Sequence, residues 1–214
     1  MLLMLGWNPG DEREMFLAAD AAKEFSLDRV VKRGARFNPD KAKWFQEQHL
    51  RQAGSEPHVA AFQALLQARG QSWDDNTCKA ALDMMLERVT FLEEVAQTDW
   101  LFGPPTAFQE KMVRKKWKDQ TAGHLEDLAL ELEGLQEFTS DQVETTFKAF
   151  LEARELGFGQ VLLPFRLALT GEGGGPSMFE FAAFLGKETT LQRLREGTAH
   201  IEALRAQTSD GATS

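Results

Sequence analysis

FGQVLLPFRLALTGEGGGPSMFEFAAFLGKETTLQRL, residues Phe158–Leu194, decides how this chain folds. Its apolar residues recur at intervals of three and four, the spacing of a buried helix face. Pro164 inside the first apolar run predicts a kink or a junction between two helices. Pro176 is placed to open a helix over Met178–Leu185, Gly186 to end it, and Gly197 to punctuate the next. Between the helices lie three consecutive glycines, Gly173–Gly175, with Arg166 just ahead of them. A rigid helical frame carrying a glycine loop beside a cation reads as a binding surface.

Moving outward, the rest of the chain carries the same punctuation and almost no strand signal, so the expected class is all-α. Asn38-Pro39-Asp40 combines an N-cap side chain, a proline at the first helical position and an acid at the positive helix end. Gly54 closes that helix and Ser55 is placed to cap the next. Gly70 ends the helix containing Ala60, Phe62, Leu65 and Leu66. Thr139 with Gln142 has capping-box spacing and opens a helix to about Leu156, with Gly157 as its stop. Phe179, Phe181 and Phe184 read as core, as do Trp44 and Phe45. Composition suggests units at 1–54, 55–119 and 120–206, followed by a small polar tail at 207–214 that reads as disordered.

The 214 residues are 43% hydrophobic, enough to build real cores. No apolar run is long enough to span a bilayer, and the N-terminal MLLML lacks the flanks of a signal peptide, so a cytoplasmic protein is expected. Cys78 is the single cysteine and the four histidines are scattered, which leaves neither an internal disulfide nor metal-ligand spacing. There is no phosphate-binding G-x-x-x-x-G-K-[ST] motif and no Ser-His-acid or Cys-His arrangement. Neither a catalytic residue nor a metal site is therefore expected. Net charge is −9, but the cations are bunched. Arg29, Lys32, Arg33, Arg36, Lys41 and Lys43 face a single acid, Asp40, and Lys111, Arg114, Lys115, Lys116 and Lys118 have no acid between them. Such patches are either solvated helix faces or an electrostatic guide for a polyanion.

Four segments together resemble the C-terminal half of bacterial-type glutamyl-tRNA synthetase. They are LLMLGWNPGDERE at Leu2–Glu14, FSLDRVVKRGARFNPDKAKWFQEQHL at Phe25–Leu50, a helix ALDMMLERVTFLEEV at Ala81–Val95, and LPFRLALTGEGGGPSMFEFAAFLGKETTLQRL at Leu163–Leu194. The last is close to the family's P-L-R-x-A-L-T-G and G-P-x-L-F-E signatures. The resemblance implies a partial stem-contact domain (1–54) followed by two helical anticodon-binding domains (55–119 and 120–206). It implies a parent ligase that uses ATP and Mg to join glutamate to tRNA. The H-I-G-H and K-M-S-K-S motifs of the catalytic half are not in this chain, so it is expected to hold no cofactor and to be inactive alone. The implied partner of this monomer is tRNA-Glu, with tRNA-Gln as a second candidate, and neither DNA nor a membrane.

The resemblance also assigns residues. Arg88 matches an arginine that reads the third anticodon base, and Arg166 one that contacts anticodon bases. Gly175, Pro176, Ser177 and Met178 match the lining of the pocket for the first two anticodon bases. Some members carry threonine in place of Gly175. Lys32, Arg33, Arg36, Lys41, Lys43, Lys115 and Lys116 are expected on phosphates of the stem and loop. Gln46 and His49 stand where asparagine and tyrosine are usual, and the chain has no tyrosine. The assignment agrees with the chemistry of unpaired bases, whose edges are open to guanidinium hydrogen bonds and stacking. The competing reading, motivated by the net charge, is an acidic helical protein-interaction module that does not bind RNA.

Overall fold

The computed structural model describes residues 2–32, 34 and 36–210. Among these the secondary structure is helical, with one isolated bridge between Trp7 and Val30 and no strand. The chain divides into two compact units, Met1–Val95 and Ala96–Ser214. The boundaries expected at 54/55 and 119/120 do not coincide with that division, because helices on either side of each pack together.

In the first unit a short helix α1 (Ala18–Glu24) precedes α2 (Pro39–Ala53), α3 (Val59–Ala68) and α4 (Asp75–Met85). Asn38 caps α2 as its sequence requires, its side chain accepting from the amides of Asp40 and Lys41 at 3.0 and 3.2 Å. Ser55 does not cap the next helix: its hydroxyl donates to Asp83 instead. Asp74 caps α4 by accepting from Thr77 N at 2.8 Å. Phe62 and Leu66 of α3 pack against the buried Cys78, Ala81 and Leu82 face of α4. Phe45 is buried but Trp44 is 39% exposed, so only the first of that pair is core. The expected helix Ala81–Val95 is broken. It ends at Met85, passes through a 3₁₀ turn at Leu86–Arg88, and resumes as α5 (Leu92–Ala96). Val89 is extended and buried, and the Thr90 hydroxyl bonds Glu47 of α2 at 2.8 Å. Those two anchors make tertiary contacts that helix continuation would forfeit.

The second unit contains α6 (Asp99–Phe102), α7 (Glu110–Lys116), α8 (Thr121–Glu133), α9 (Ser140–Ala153), α10 (Phe158–Thr170), α11 (Met178–Leu185) and α12 (Lys187–Asp210). Its core lies where α8, α10 and α12 pack on one another and α9 packs on α11. Phe147 of α9 is fully buried, with Phe158, Phe165 and Phe179 around it at ring separations of 5.3–6.2 Å. Helix α10 runs unbroken through Pro164. An interior proline costs about 3 kcal/mol, and burial of every residue from Pro164 to Thr170 outweighs it. Helix α9 stops earlier than expected, with Glu155 in the left-handed region, while Gly157 begins α10 and donates its amide to Gln160 Oε1. Phe184 is only half-buried, unlike Phe179 and Phe181. Residues 207–210, expected as tail, continue α12; positions 211–214 fall outside the described residues.

Gly197 does not interrupt α12; it lets α12 touch α10. A Cβ there would lie 2.1 Å from the carbonyl oxygen of Ala168. Gly197→Ala is therefore expected to destabilise the second unit by about 1–3 kcal/mol or more through overpacking. Gly123→Ala in α8, where a Cβ meets nothing within 4 Å, is expected to be stabilising by up to about 1 kcal/mol through helix propensity. Urea unfolding of the two variants, followed by circular dichroism, checks the opposite signs.

Candidate nucleic-acid interface

The glycine loop is built from α10 outward. Arg166 sits between Phe165 and Leu167, both fully buried, and is itself only 8% exposed. Its Nη2 donates to the carbonyl of Pro176 at 2.7 Å, beneath the loop. The Thr170 hydroxyl donates to the Arg166 carbonyl at 2.9 Å and accepts from Glu172 N at 3.1 Å, turning the chain as the helix ends. Gly171 then adopts φ 74°, and a Cβ on it would lie 2.1 Å from the carbonyl oxygen of Ala107. Gly175 has φ 139°, and a Cβ there would lie 2.9 Å from Arg166 Nη1 and 3.8 Å from Trp100 Cζ2. At Gly171 both the backbone angle and the rigid carbonyl beside it demand glycine, whereas at Gly175 it is the positive φ that favours glycine, its neighbour being the end of a side chain.

The loop is seated on the start of α7. Gln109 donates its amide to the Gly171 carbonyl at 2.8 Å, and its side-chain Oε1 accepts from Gly173 N at 3.1 Å. Helix α7 is the basic helix of the second patch, and it also packs on α10. The structure thus brings together two features some 60 residues apart in sequence, the glycine loop and the start of the basic helix α7, where Met112 lies against Gly173. Lys115 is exposed and Lys116 half-buried, while Arg114 pairs with Glu110 at 3.1 Å.

Of the expected pocket residues, Pro176 and Met178 are buried, Met178 to 1%, so its side chain belongs to the core. Ser177 caps α11, its hydroxyl accepting from Glu180 N at 3.4 Å. Gly174 is exposed and Gly175 half-exposed. What this loop offers a ligand is therefore mainly backbone.

Two residues that sequence reasoning gave no role support this arrangement. Trp100 of α6 packs edge-on against Phe181 at 4.9 Å and lies beside Gly175. Its carbonyl accepts from Arg193 Nη1 at 2.6 Å. Arg193 is 6% exposed, and no carboxylate lies within 4 Å of it among the described residues. Burial pushes its guanidinium below the ordinary arginine range, though arginine keeps its proton in proteins. Arg193 stands in the sequence stretch quoted at the outset, but nothing there says that it meets a tryptophan carbonyl 93 residues away.

In the first unit, Arg88 ends the 3₁₀ turn and is exposed. Buried Leu86 and Val89 flank it, and Arg51 Nη2 holds the Glu87 carbonyl at 3.0 Å. Lys32, Arg36 and Lys43 are exposed. Lys41 pairs with Glu14 and lies 5.8 Å from the Phe45 ring centre, so it is engaged within the protein. Arg33 falls outside the described residues. Among the described residues no cluster of His, Cys, Asp and Glu could hold a metal ion, and no helix is long and apolar enough to cross a membrane.

Comparison with known proteins gives a consistent answer. The family described as "Anticodon binding domain" matches residues 46–198. The chain is 36% identical over 197 residues to the glutamate–tRNA ligase of Christiangramia forsetii, covering 92% of this chain and 39% of that protein. It is 33% identical over 207 residues to the ligase of Chlorobium chlorochromatii, covering 91% and 41%. The crystal structure of a glutamate tRNA ligase from Elizabethkingia meningosepticum superposes with a TM-score of 0.86 at 32% identity, over 92% of this chain and 39% of that one. The chain spans about two fifths of the length of these relatives. The resemblance drawn from sequence is to these same proteins.

Substitution of Gly175 by alanine should strain the backbone and press on Arg166, lowering stability by about 1–3 kcal/mol. Gly174→Ala, with nothing within 4 Å of its Cβ, should change it by less than about 0.5 kcal/mol. Denaturant titration of both variants is the measurement; equal effects would contradict the packing described.

Proposed function

The chain belongs to the family of anticodon-binding domains, and from that membership we propose that it is the tRNA-recognising part of a glutamate–tRNA ligase. Its relatives are glutamate–tRNA ligases, and we assign the ligase chemistry, with ATP and Mg, to the part of those proteins that this chain does not match. By itself the chain recognises and does not aminoacylate. The ligand it recognises is tRNA-Glu, read at the anticodon loop.

One observation carries this reading: the glycine loop and the basic helix α7 are held together through Gln109. Backbone donors for base edges then sit at one end of a helix whose last turn carries cations for phosphates. Phosphate contacts position an RNA and base contacts specify it, so a site needs both. Arg88, exposed on an anchored turn, supplies a planar guanidinium fork for a base edge. Arg166 acts differently. Its buried guanidinium fixes Pro176 and Gly175 and sets the shape of the loop that meets the bases. Lys32, Arg36, Lys43 and Lys115 are exposed and suited to phosphates.

The test is binding of stem–loop RNA hairpins that differ only in the anticodon. The tRNA-Glu hairpin should bind tightest, with affinity falling as salt rises. Arg88→Ala should erase discrimination at one loop position, a loss of about 1–3 kcal/mol by analogy with bidentate base contacts elsewhere. Lys115→Ala should weaken all hairpins alike and reduce the salt slope. No hairpin binding at low salt would overturn the proposal in favour of a protein-interaction role.

A further inference from the structure

We propose that Gln109 is a specificity-determining residue of this site, donating from its side-chain amide to a carbonyl oxygen on an unstacked base. The inference rests on the RNA-binding reading above and adds a residue and a chemistry to it. The amide's orientation is settled by its partner. Gly173 N–H can only donate, so the Gln109 atom 3.1 Å away must be the oxygen. The NH₂ group then points away from Gly173. Gln109 is exposed, and its Nε2 donates to no group among the described residues.

The second bond, from Gln109 N to the Gly171 carbonyl at 2.8 Å, fixes the backbone of the same residue. A side chain held by its own loop at both backbone and tip loses little freedom on binding, which is what a discriminating contact requires. Its surroundings favour a base over a phosphate. Glu172 is exposed in the same loop, and an acid there opposes an anion. The amides of Gly174 and Gly175 have no backbone partner among the described residues. The loop therefore offers neutral donors, and these match carbonyl oxygens on base edges.

Gln109→Glu separates this role from a structural one. The glutamate keeps an oxygen that accepts from Gly173 N–H and replaces the outward donor with an acceptor. Hairpin RNAs differing at single loop bases are the probes, and the full chain is the protein. The expected result is a reordering of affinities, with the preferred base at one position losing roughly tenfold relative to the others. The added negative charge weakens all hairpins by a common factor, so the ratio is the readout. A hairpin whose preferred base lacks its carbonyl oxygen should bind the unsubstituted protein roughly tenfold less well. This arm does not depend on the variant folding. Unchanged ratios in Gln109→Glu, or no loss on removing any loop carbonyl, would overturn the role of Gln109 while leaving RNA binding intact. Absence of hairpin binding by the unsubstituted chain would overturn both.

Discussion

A guanidinium withdrawn from water must be met by acceptors inside the protein, because an unsatisfied buried cation is among the most costly groups a fold can contain. The second unit buries two. Arg166 meets the Pro176 carbonyl and Arg193 meets the Trp100 carbonyl. Backbone oxygens are fixed points of the chain, so each bond sets the place of a segment rather than of a side chain. Arg166 draws the end of the glycine loop onto α10. Arg193 draws α6 onto α12 and with it the Trp100 ring that borders Gly175. The shape of the exposed loop is thus dictated from below by two cations that scarcely reach the surface. An arginine beside a glycine loop can serve recognition without touching the ligand.

How far this was legible in the sequence varied with the range of the interaction that decided each feature. Asn38-Pro39-Asp40 was readable because capping is local, a side-chain oxygen bonding amides two and three residues on. The all-α class was readable because apolar spacing is local too. Features set by distant contacts were not. Gly197 looks like a helix stop, yet it is a contact point whose partner, the Ala168 carbonyl, is 29 residues away in sequence. Pro164 looks like a break, yet surrounding burial carries the helix through it. Ser55 has the chemistry of a cap but finds Asp83 on α4 instead. The interruption after Met85 depends on the Leu86–Arg88 turn and Thr90 meeting α2, which no window along the chain can reveal.

The candidate site shows the same division. The loop and Arg166 stood out because glycines in series and a cation in an apolar run are local anomalies. Gln109 did not, since a glutamine before a basic helix has no distinguishing pattern. Its importance lies in two hydrogen bonds to residues 62 and 64 positions later. Met178 illustrates the opposite case. It follows the loop directly in sequence, but helical geometry turns its side chain into the core.

The proposed function raises a physical question, how a chain of net charge −9 would favour a polyanion. Exposed charges further apart than about 8 Å are largely screened at physiological ionic strength. The sum over the molecule therefore matters less than the balance within each patch. In the second unit Glu110 neutralises Arg114. Lys111, Lys115 and Lys118 are exposed and form no ion pair among the described residues. In the first unit Glu14 occupies Lys41, while Lys32, Arg36 and Lys43 are exposed and likewise form none. The acids that make the total negative lie largely elsewhere, several of them in i,i+4 pairs such as Lys79 with Asp83 and Lys148 with Glu144. On that reading, an acidic body with small uncompensated basic patches would repel RNA in most orientations and accept it in few. Such a distribution lowers nonspecific affinity while leaving the aligned encounter attractive. The negative charge and the proposed recognition are then two parts of one device for orientation.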